Sequence, residues 1–282
     1  MNHKEQQGYV TIAQNSDTVN YLELAYLQAL NIKATQRHNR YAVLVDQETR
    51  QQLQPKHEEV FDYIIDIPTD LAQGHTWKLA NEYQVFWLTP FKETIKLESD
   101  LLFTRSVDHW WSAFRLKNVC LSTGAKNFKQ ELSAVRRYRK VFDDNDLPDI
   151  YNGLMYFRFS QEAYNFFTTA KSLYENWEEV RTTLLINCHE ATPSTDVLYA
   201  LTAKIVGIED CTAPSLDFVN FVHMKSGFNG WSDTFPWTET VVHERDGDVI
   251  RINNLNQYDA IHYHDKEYAS RELIEYYESR RN

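Results

Sequence analysis

Tyr9-Val10-Thr11-Ile12-Ala13, followed by Gln14-Asn15-Ser16-Asp17, is the stretch whose reading decides the fold. The first five residues form a short apolar run rich in β-branched side chains behind Gly8, which reads as a buried strand. Ser16 or Asp17 can then cap a helix, and Val19, Leu22, Tyr26, Ala29 and Leu30 recur at helical spacing. Tyr41-Ala42-Val43-Leu44-Val45 is a second buried strand, ending at Asp46. A short polar helix is expected from Glu48 to Leu53. Phe61-Asp62-Tyr63-Ile64-Ile65-Asp66-Ile67 is a third strand, stopped by Pro68. Strand, helix, strand, helix, strand in close succession predicts an α/β layer, a mixed and mostly parallel sheet with flanking helices. Such sheets bind ligands at the carboxyl ends of their strands. The polar segments after Ala13, Val45 and Ile67 are therefore the first places to look for a site.

Working outward, Trp77 to Leu88 reads as a helix that ends before Pro90, and Thr94-Ile95-Lys96-Leu97 as a fourth strand. Residues 105–140 read as helical and polar. Leu154 to Phe159 is another strand, and Ser160 can cap a helix carrying Ala163, Phe166, Phe167, Ala170 and Trp177 on one face. Ser194 or Thr195 opens a helix through Val197, Leu198, Leu201 and Ile205. Phe218 to Met224 reads as a strand, His262-Tyr263-His264 as strand-like, and a closing helix starts at Tyr268. No linker rich in Pro, Gly or Ser divides the chain. One domain over residues 1–282 is expected, with a nucleotide-binding half (1–100) and an acceptor-binding half (101–282) that includes the C-terminal helix.

The 282 residues hold 29 Lys and Arg against 40 Asp and Glu, a formal net charge of −11. General attraction to nucleic acid or anionic membrane is not the default for such a chain. Hydrophobic residues make up 43% and charged residues 24%, the balance of a globular protein rather than a disordered one. Cys120, Cys188 and Cys211 have neither metal spacing nor an even disulfide count, which predicts a reducing, cytoplasmic compartment. Met1 to Gln7 lacks the apolar core of a signal peptide, and no run approaches the length of a membrane helix.

The most informative chemistry lies at Glu98-Ser99-Asp100, directly after the fourth strand. Two carboxylates at i and i+2 past a strand end can face one side and hold a hard divalent cation such as Mn²⁺ or Mg²⁺. A solvated acidic loop is the bland alternative.

Here the chain resembles the nucleotide-sugar glycosyltransferases of the GT-A (Rossmann-like) fold, the glycogenin-like kind in particular. Residues 9–15 look like that family's opening strand, after which the uracil and ribose are held; Ala13 and Asn15 occupy those positions. Lys96-Leu97-Glu98-Ser99-Asp100 resembles its metal-binding D-x-D motif, and Tyr151-Asn152-Gly153-Leu154 its segment beside the donor sugar. Thr195-Asp196-Val197-Leu198 resembles the later helix start near the transferred sugar. Phe221-Val222-His223, with Gly227 and Trp231, resembles its late histidine segment. The resemblance implies a UDP-sugar donor, a metal held by Glu98, Asp100 and His223, and Asp196 beside the anomeric carbon. Asp196 would serve as general base in an inverting enzyme, or orient the sugar in a retaining one. Asn152 and Gly153 would contact the sugar, and Lys225 or Lys78 would face the diphosphate. The sequence departs from the pattern at Glu98, where the family has Asp, and at Asn229, where it has Lys. His262 and His264 alternate along a strand-like stretch and are the other candidate ligands. A strand-end packing role for His223, a capping role for Asp196 and an ordinary turn at Asn152-Gly153 are the structural alternatives.

Arg115, Lys117, Lys126, Lys129, Arg136, Arg137, Arg139 and Lys140 face a single acid, Glu131, between residues 115 and 140. This island carries +7 in an acidic chain, and it can track a phosphate backbone or simply form a solvated face. Arg136, Arg137, Arg139 and Lys140 are the candidate nucleic-acid contacts. With the island on double-stranded DNA, the plan resembles phage transferases that glycosylate hydroxymethylated cytosine, acting in the host cytoplasm. A protein or polysaccharide acceptor, a non-catalytic nucleotide- or DNA-binding module, and a metal-dependent hydrolase are the competing readings.

Overall fold

The computed structural model describes residues 5–73, 78–123, 125–131, 139–211, 221–225 and 235–281; the side chains of Lys78, Arg139 and Cys211 lie outside that description. Along the first half run β1 (Glu5–Ala13), α1 (Tyr21–Thr35), β2 (Tyr41–Val45), α2 (Gln47–Arg50), α3 (Pro55–Val60) and β3 (Tyr63–Asp66). A 3-10 segment (Lys78–Gln84), α4 (Val85–Leu88), β4 (Phe91–Leu97) and β5 (Leu101–Leu102) follow. Next come α5 (Trp110–Phe114), β6 (Val119–Thr123), α6 (Arg139–Asp144), β7 (Ile150–Arg158), α7 (Gln161–Glu175), α8 (Trp177–Thr183) and α9 (Thr195–Val206). The last stretch holds β8 (Phe221–His223), α10 (Trp237–Thr240), β9 (His243–Asp246), β10 (Val249–Ile252), β11 (Leu255–Gln257), β12 (Ala260–His262) and α11 (Arg271–Glu278).

The main sheet has six strands in the order β3-β2-β1-β4-β7-β6. β1 to β4 are mutually parallel, and β7 runs antiparallel to both its neighbours. This is the expected α/β layer, mixed and mostly parallel, with helices on both faces. Val10, Ala42, Leu44, Met155 and Phe157 point to the face covered by α7 and α9, whereas Tyr9, Val43, Ile95 and Tyr156 point to the face covered by α1. Period-2 alternation of apolar residues on both faces is what a doubly covered sheet requires. Asn20 caps α1 and Ser194 caps α9 through side-chain acceptance of a first-turn N–H.

Several boundaries differ from the sequence reading. Residues 105–140 are not one helical region, because Val119–Thr123 forms the buried edge strand β6. In place of a helix from Trp77 to Leu88, the described residues Lys78–Leu88 form a 3-10 segment running into one turn of α-helix. Asn152 and Gly153 lie inside β7 rather than in a turn. The closing helix begins at Arg271, where Ser270 provides the cap. The antiparallel sheet β9-β10-β11 has no counterpart in the sequence reading.

A smaller sheet, β5-β12-β8, matters most for the site. β12 pairs antiparallel with β5, opposing His262 to Leu101, and parallel with β8, opposing His262 to His223. Since β5 starts directly after Asp100, this pairing brings the C-terminal histidines onto the loop that follows β4. No helix among the described residues is long and apolar enough to cross a membrane, and Cys120 and Cys188 are buried.

Candidate active site

Glu98-Ser99-Asp100 leaves the carboxyl end of β4, and its backbone is tied down on three sides. The Glu98 N–H donates to the Gly153 carbonyl at 3.1 Å. The buried Gln28 amide of α1 donates to the carbonyls of Glu98 and Leu101 at 2.6 and 2.7 Å, and is itself held by the Tyr41 hydroxyl at 2.8 Å. The Tyr263 N–H donates to the Asp100 carbonyl at 3.0 Å. A loop anchored this way presents its carboxylates in a fixed geometry.

His262 meets both of them. Its Nε2 lies 3.0 Å from Glu98 Oε2 and 2.9 Å from Asp100 Oδ1, and Lys266 Nζ pairs with Asp100 Oδ2. Glu98, Asp100 and His262 are the group among the described residues whose ligand atoms could hold a metal ion, all lying within 4.8 Å of one another. Burial works against the charged His262 imidazolium, but Asp100 and Glu98 carry its pKa up to about 9. Burial likewise opposes the Asp100 carboxylate, yet the charges of His262 and Lys266 hold it well below the usual range; Glu98 is also lowered, with His262 the main opposing influence. Two anionic carboxylates and, once a cation displaces its proton, one imidazole nitrogen converging at a buried point form a donor set suited to Mn²⁺ or Mg²⁺.

His223 sits beside this group. Its ring centroid is 4.5 Å from that of His262 and 4.5 Å from that of Tyr151, whose hydroxyl hydrogen-bonds its Nε2. Burial and the neighbouring His262 push His223 well below the ordinary histidine pKa. Of the two histidine candidates opposed in β8 and β12, His262 is the one in contact with the carboxylates. His264 stands 6.0 Å from the His223 ring, its pKa lowered to about 4 by burial and by His262.

The remaining predicted residues distribute as follows. Asp196, in the first turn of α9, accepts the Asn152 N–H at 2.7 Å, so these two candidates are joined through the end of β7. Gly153 is required by close packing: a Cβ there would lie 2.8 Å from the Phe221 ring and 3.5 Å from His262 Nδ1. Ala13 is fully buried. Asn15 is committed to its loop, its amide donating to Gln52 at 2.8 Å and its carbonyl accepting the Leu22 N–H at 2.9 Å. Lys225 is half-buried and close enough to disfavour charge on His223. The Lys78 side chain, Arg136, Arg137 and the Arg139 side chain lie outside the described residues, as do Gly227, Asn229 and Trp231; Lys140 is exposed. Within the basic island, Arg115 pairs with Glu93 at 2.7 Å and Lys117 with Asp210 at 2.5 Å.

Sequence reasoning missed Gln28, Lys266, Tyr151 and the ion pair between Lys96 and Glu82. The polar segments after Ala13, Val45 and Ile67, which the sequence marked as places to look, join through Asn81 in a network at the carboxyl ends of β1 and β2 whose pairings the sequence did not reveal. There the Gln14 amide donates to Asp46 at 2.9 Å and to Asp70 at 3.2 Å, while Asn81 bridges Gln14 and Asp70 at 2.8 and 2.7 Å. A polar residue placed next to an apolar strand end is the available signal, and Gln14 and Asp46 both carry it.

No protein-family model matches the chain, and no curated protein matches it. Among solved structures the fold is similar to that of the glycosyltransferase GlyE of Streptococcus pneumoniae TIGR4, with a TM-score of 0.44 and 12% identity over 74% of this chain and 45% of that one. It is similar to the bifunctional glycosyltransferase WbbM, with a TM-score of 0.48 and 11% identity over 82% and 42%. Mouse xyloside xylosyltransferase 1 follows at 0.42 and 8%, over 74% and 84%. The chain spans less than half the length of the GlyE and WbbM chains it matches. The functional reading therefore rests on this chain's own side chains.

Proposed function

We propose that this chain is a metal-dependent glycosyltransferase that moves a sugar from a UDP-sugar to an acceptor hydroxyl. The observation that carries the reading is the convergence of Glu98, Asp100 and His262 at the carboxyl end of β4, where an open α/β sheet binds its ligands. Those three side chains would hold the divalent cation, with His223 packed behind His262. When bound, such a cation neutralises the charge that builds on a departing nucleoside diphosphate.

The chain's own groups have distinct parts. Lys266, anchored on Asp100 and still partly exposed, and Lys225 add positive charge facing the same leaving group. Gln28 and the Gly153 carbonyl fix the carboxylate loop. Asp196 accepts the Asn152 backbone N–H, and the pair would contact the sugar. The polar network of Gln14, Asp46, Asp70 and Asn81 lines the side on which the nucleoside would sit.

The acceptor in this reading is double-stranded DNA bearing a hydroxymethylated pyrimidine, and the +7 island between residues 115 and 140 supports contact with its phosphate backbone. Arg136, Arg137, Arg139 and Lys140 are the residues proposed to contact its phosphates. The test is to incubate the protein with Mn²⁺, a panel of UDP-sugars and duplexes containing either cytosine or hydroxymethylcytosine, and to weigh the DNA. A gain of one sugar on the hydroxymethylated duplex alone is expected, lost in Asp100→Ala. Transfer only to a protein or glycan overturns the DNA acceptor, UDP release with no product supports a hydrolase, and no turnover with any donor overturns the enzyme.

A further inference from the structure

We infer that the buried ion pair of Lys96 and Glu82 is a positioning device for the carboxylate site: Glu82 holds the Lys96 ammonium away from Glu98, and so preserves that site's affinity for a divalent cation. The inference rests on the metal-site reading above.

Lys96 lies in β4 between Val10 of β1 and Met155 of β7, in register with both and 1% exposed. An interior strand position of this kind ordinarily carries an apolar residue, and a buried ammonium is costly without a partner. The partner comes from the 3-10 segment, where Glu82, also buried, meets Lys96 Nζ with its Oε2. The buried Asn152 side-chain amide lies near Glu82 and makes no hydrogen bond among the described residues. The Tyr199 hydroxyl is buried nearby without a hydrogen-bond partner among the described residues. The pair is therefore part of a small polar pocket under the site, bounded by the 3-10 segment, β4, β7 and α9.

Its position gives it leverage. Lys96 and Glu98 are two residues apart on extended backbone, so they lean to the same side of the sheet about 7 Å apart. Asp100 already faces one ammonium, that of Lys266. An additional unpaired ammonium so close would compete directly with a divalent ion. Glu82 makes the local pair neutral. At an effective dielectric of about 20, releasing one unit charge at that spacing weakens cation binding by at least about tenfold.

Calorimetry of Mn²⁺ binding, together with electron paramagnetic resonance of free Mn²⁺, tests this on the whole chain without any turnover. Glu82→Gln is expected to weaken Mn²⁺ binding about tenfold or more. Adding Lys96→Met to it removes the stranded charge and is expected to return affinity to within about threefold of wild type. Wild-type affinity in Glu82→Gln, or a loss that persists in the double variant, overturns the inference. Should Glu82→Gln fail to fold in thermal melts, the swap Lys96→Glu with Glu82→Lys keeps the pair and places the negative end on β4. That variant is expected to bind Mn²⁺ more tightly than wild type, and equal or weaker binding overturns the inference. Absence of Mn²⁺ binding by the wild-type protein is a separate result, which overturns the metal-site reading itself and this inference with it.

Discussion

At the scale of single residues, the site was partly legible in the sequence. An acid pair directly after an apolar strand is a local pattern, and Glu98 and Asp100 carry it. Which histidine meets them is not local, because it depends on how β12 registers against β8 and against β5, the latter more than a hundred residues away. His223 and His262 oppose each other in that register, so the sequence named both while only the pairing placed His262 on the carboxylates. Lys96 and Gln28 gave no signal, since each looks like an ordinary polar interruption until its partner from another element is known. Asp62 offers a residue-scale test away from the site. It accepts the Tyr41 N–H at 2.8 Å and pairs with Lys33 and with Arg40 at 2.7 Å. Burial alone would raise its pKa, but these partners hold it below the usual carboxylate value. A lowered pKa contributes stability above the unfolded value that is lost as pH falls through the folded one. Asp62→Asn is thus expected to lower stability at pH 7 by about 1–3 kcal/mol, with the difference from wild type shrinking below about pH 4 in denaturant titrations. A difference independent of pH contradicts the assignment.

At the scale of elements, the strands of the first half were legible because their apolar runs are bounded by caps and Pro. β6 was not, because Cys120 and Ser122 alternate with Val119 and Leu121 in a short run beside a block of basic residues. The 3-10 segment Lys78–Gln84 escaped because its polar residues, Asn81 and Glu82, are buried by partners on other elements. The junction between β7 and α9 separates structure from chemistry. Asp196 Oδ1 accepts the Asn152 N–H, so Asp196→Ala leaves a buried donor without that acceptor and is expected to lower stability by about 1–3 kcal/mol. Asp196→Asn retains an oxygen acceptor and is expected to melt within about 1 kcal/mol of wild type while losing most donor turnover. Full turnover in Asp196→Asn limits Asp196 to holding the end of β7.

At the scale of the whole molecule, one arrangement explains why residues so far apart in sequence form one site. The parallel core of the main sheet sends β1, β2 and β4 to the same edge, and the small β5-β12-β8 sheet folds the C-terminal histidines over that edge. Composition and alternation predicted the first part; the second needs the long-range pairing of strands of two or three residues, which carries almost no local pattern. The central claim is that this edge binds a nucleoside diphosphate through a cation held by Glu98, Asp100 and His262. Calorimetric titration of UDP into the protein, in Mn²⁺ and then in EDTA, addresses it most directly. The account predicts saturable binding in Mn²⁺ that disappears in EDTA and in Asp100→Ala. UDP binding of equal strength with and without the metal, or none in either condition, would contradict it.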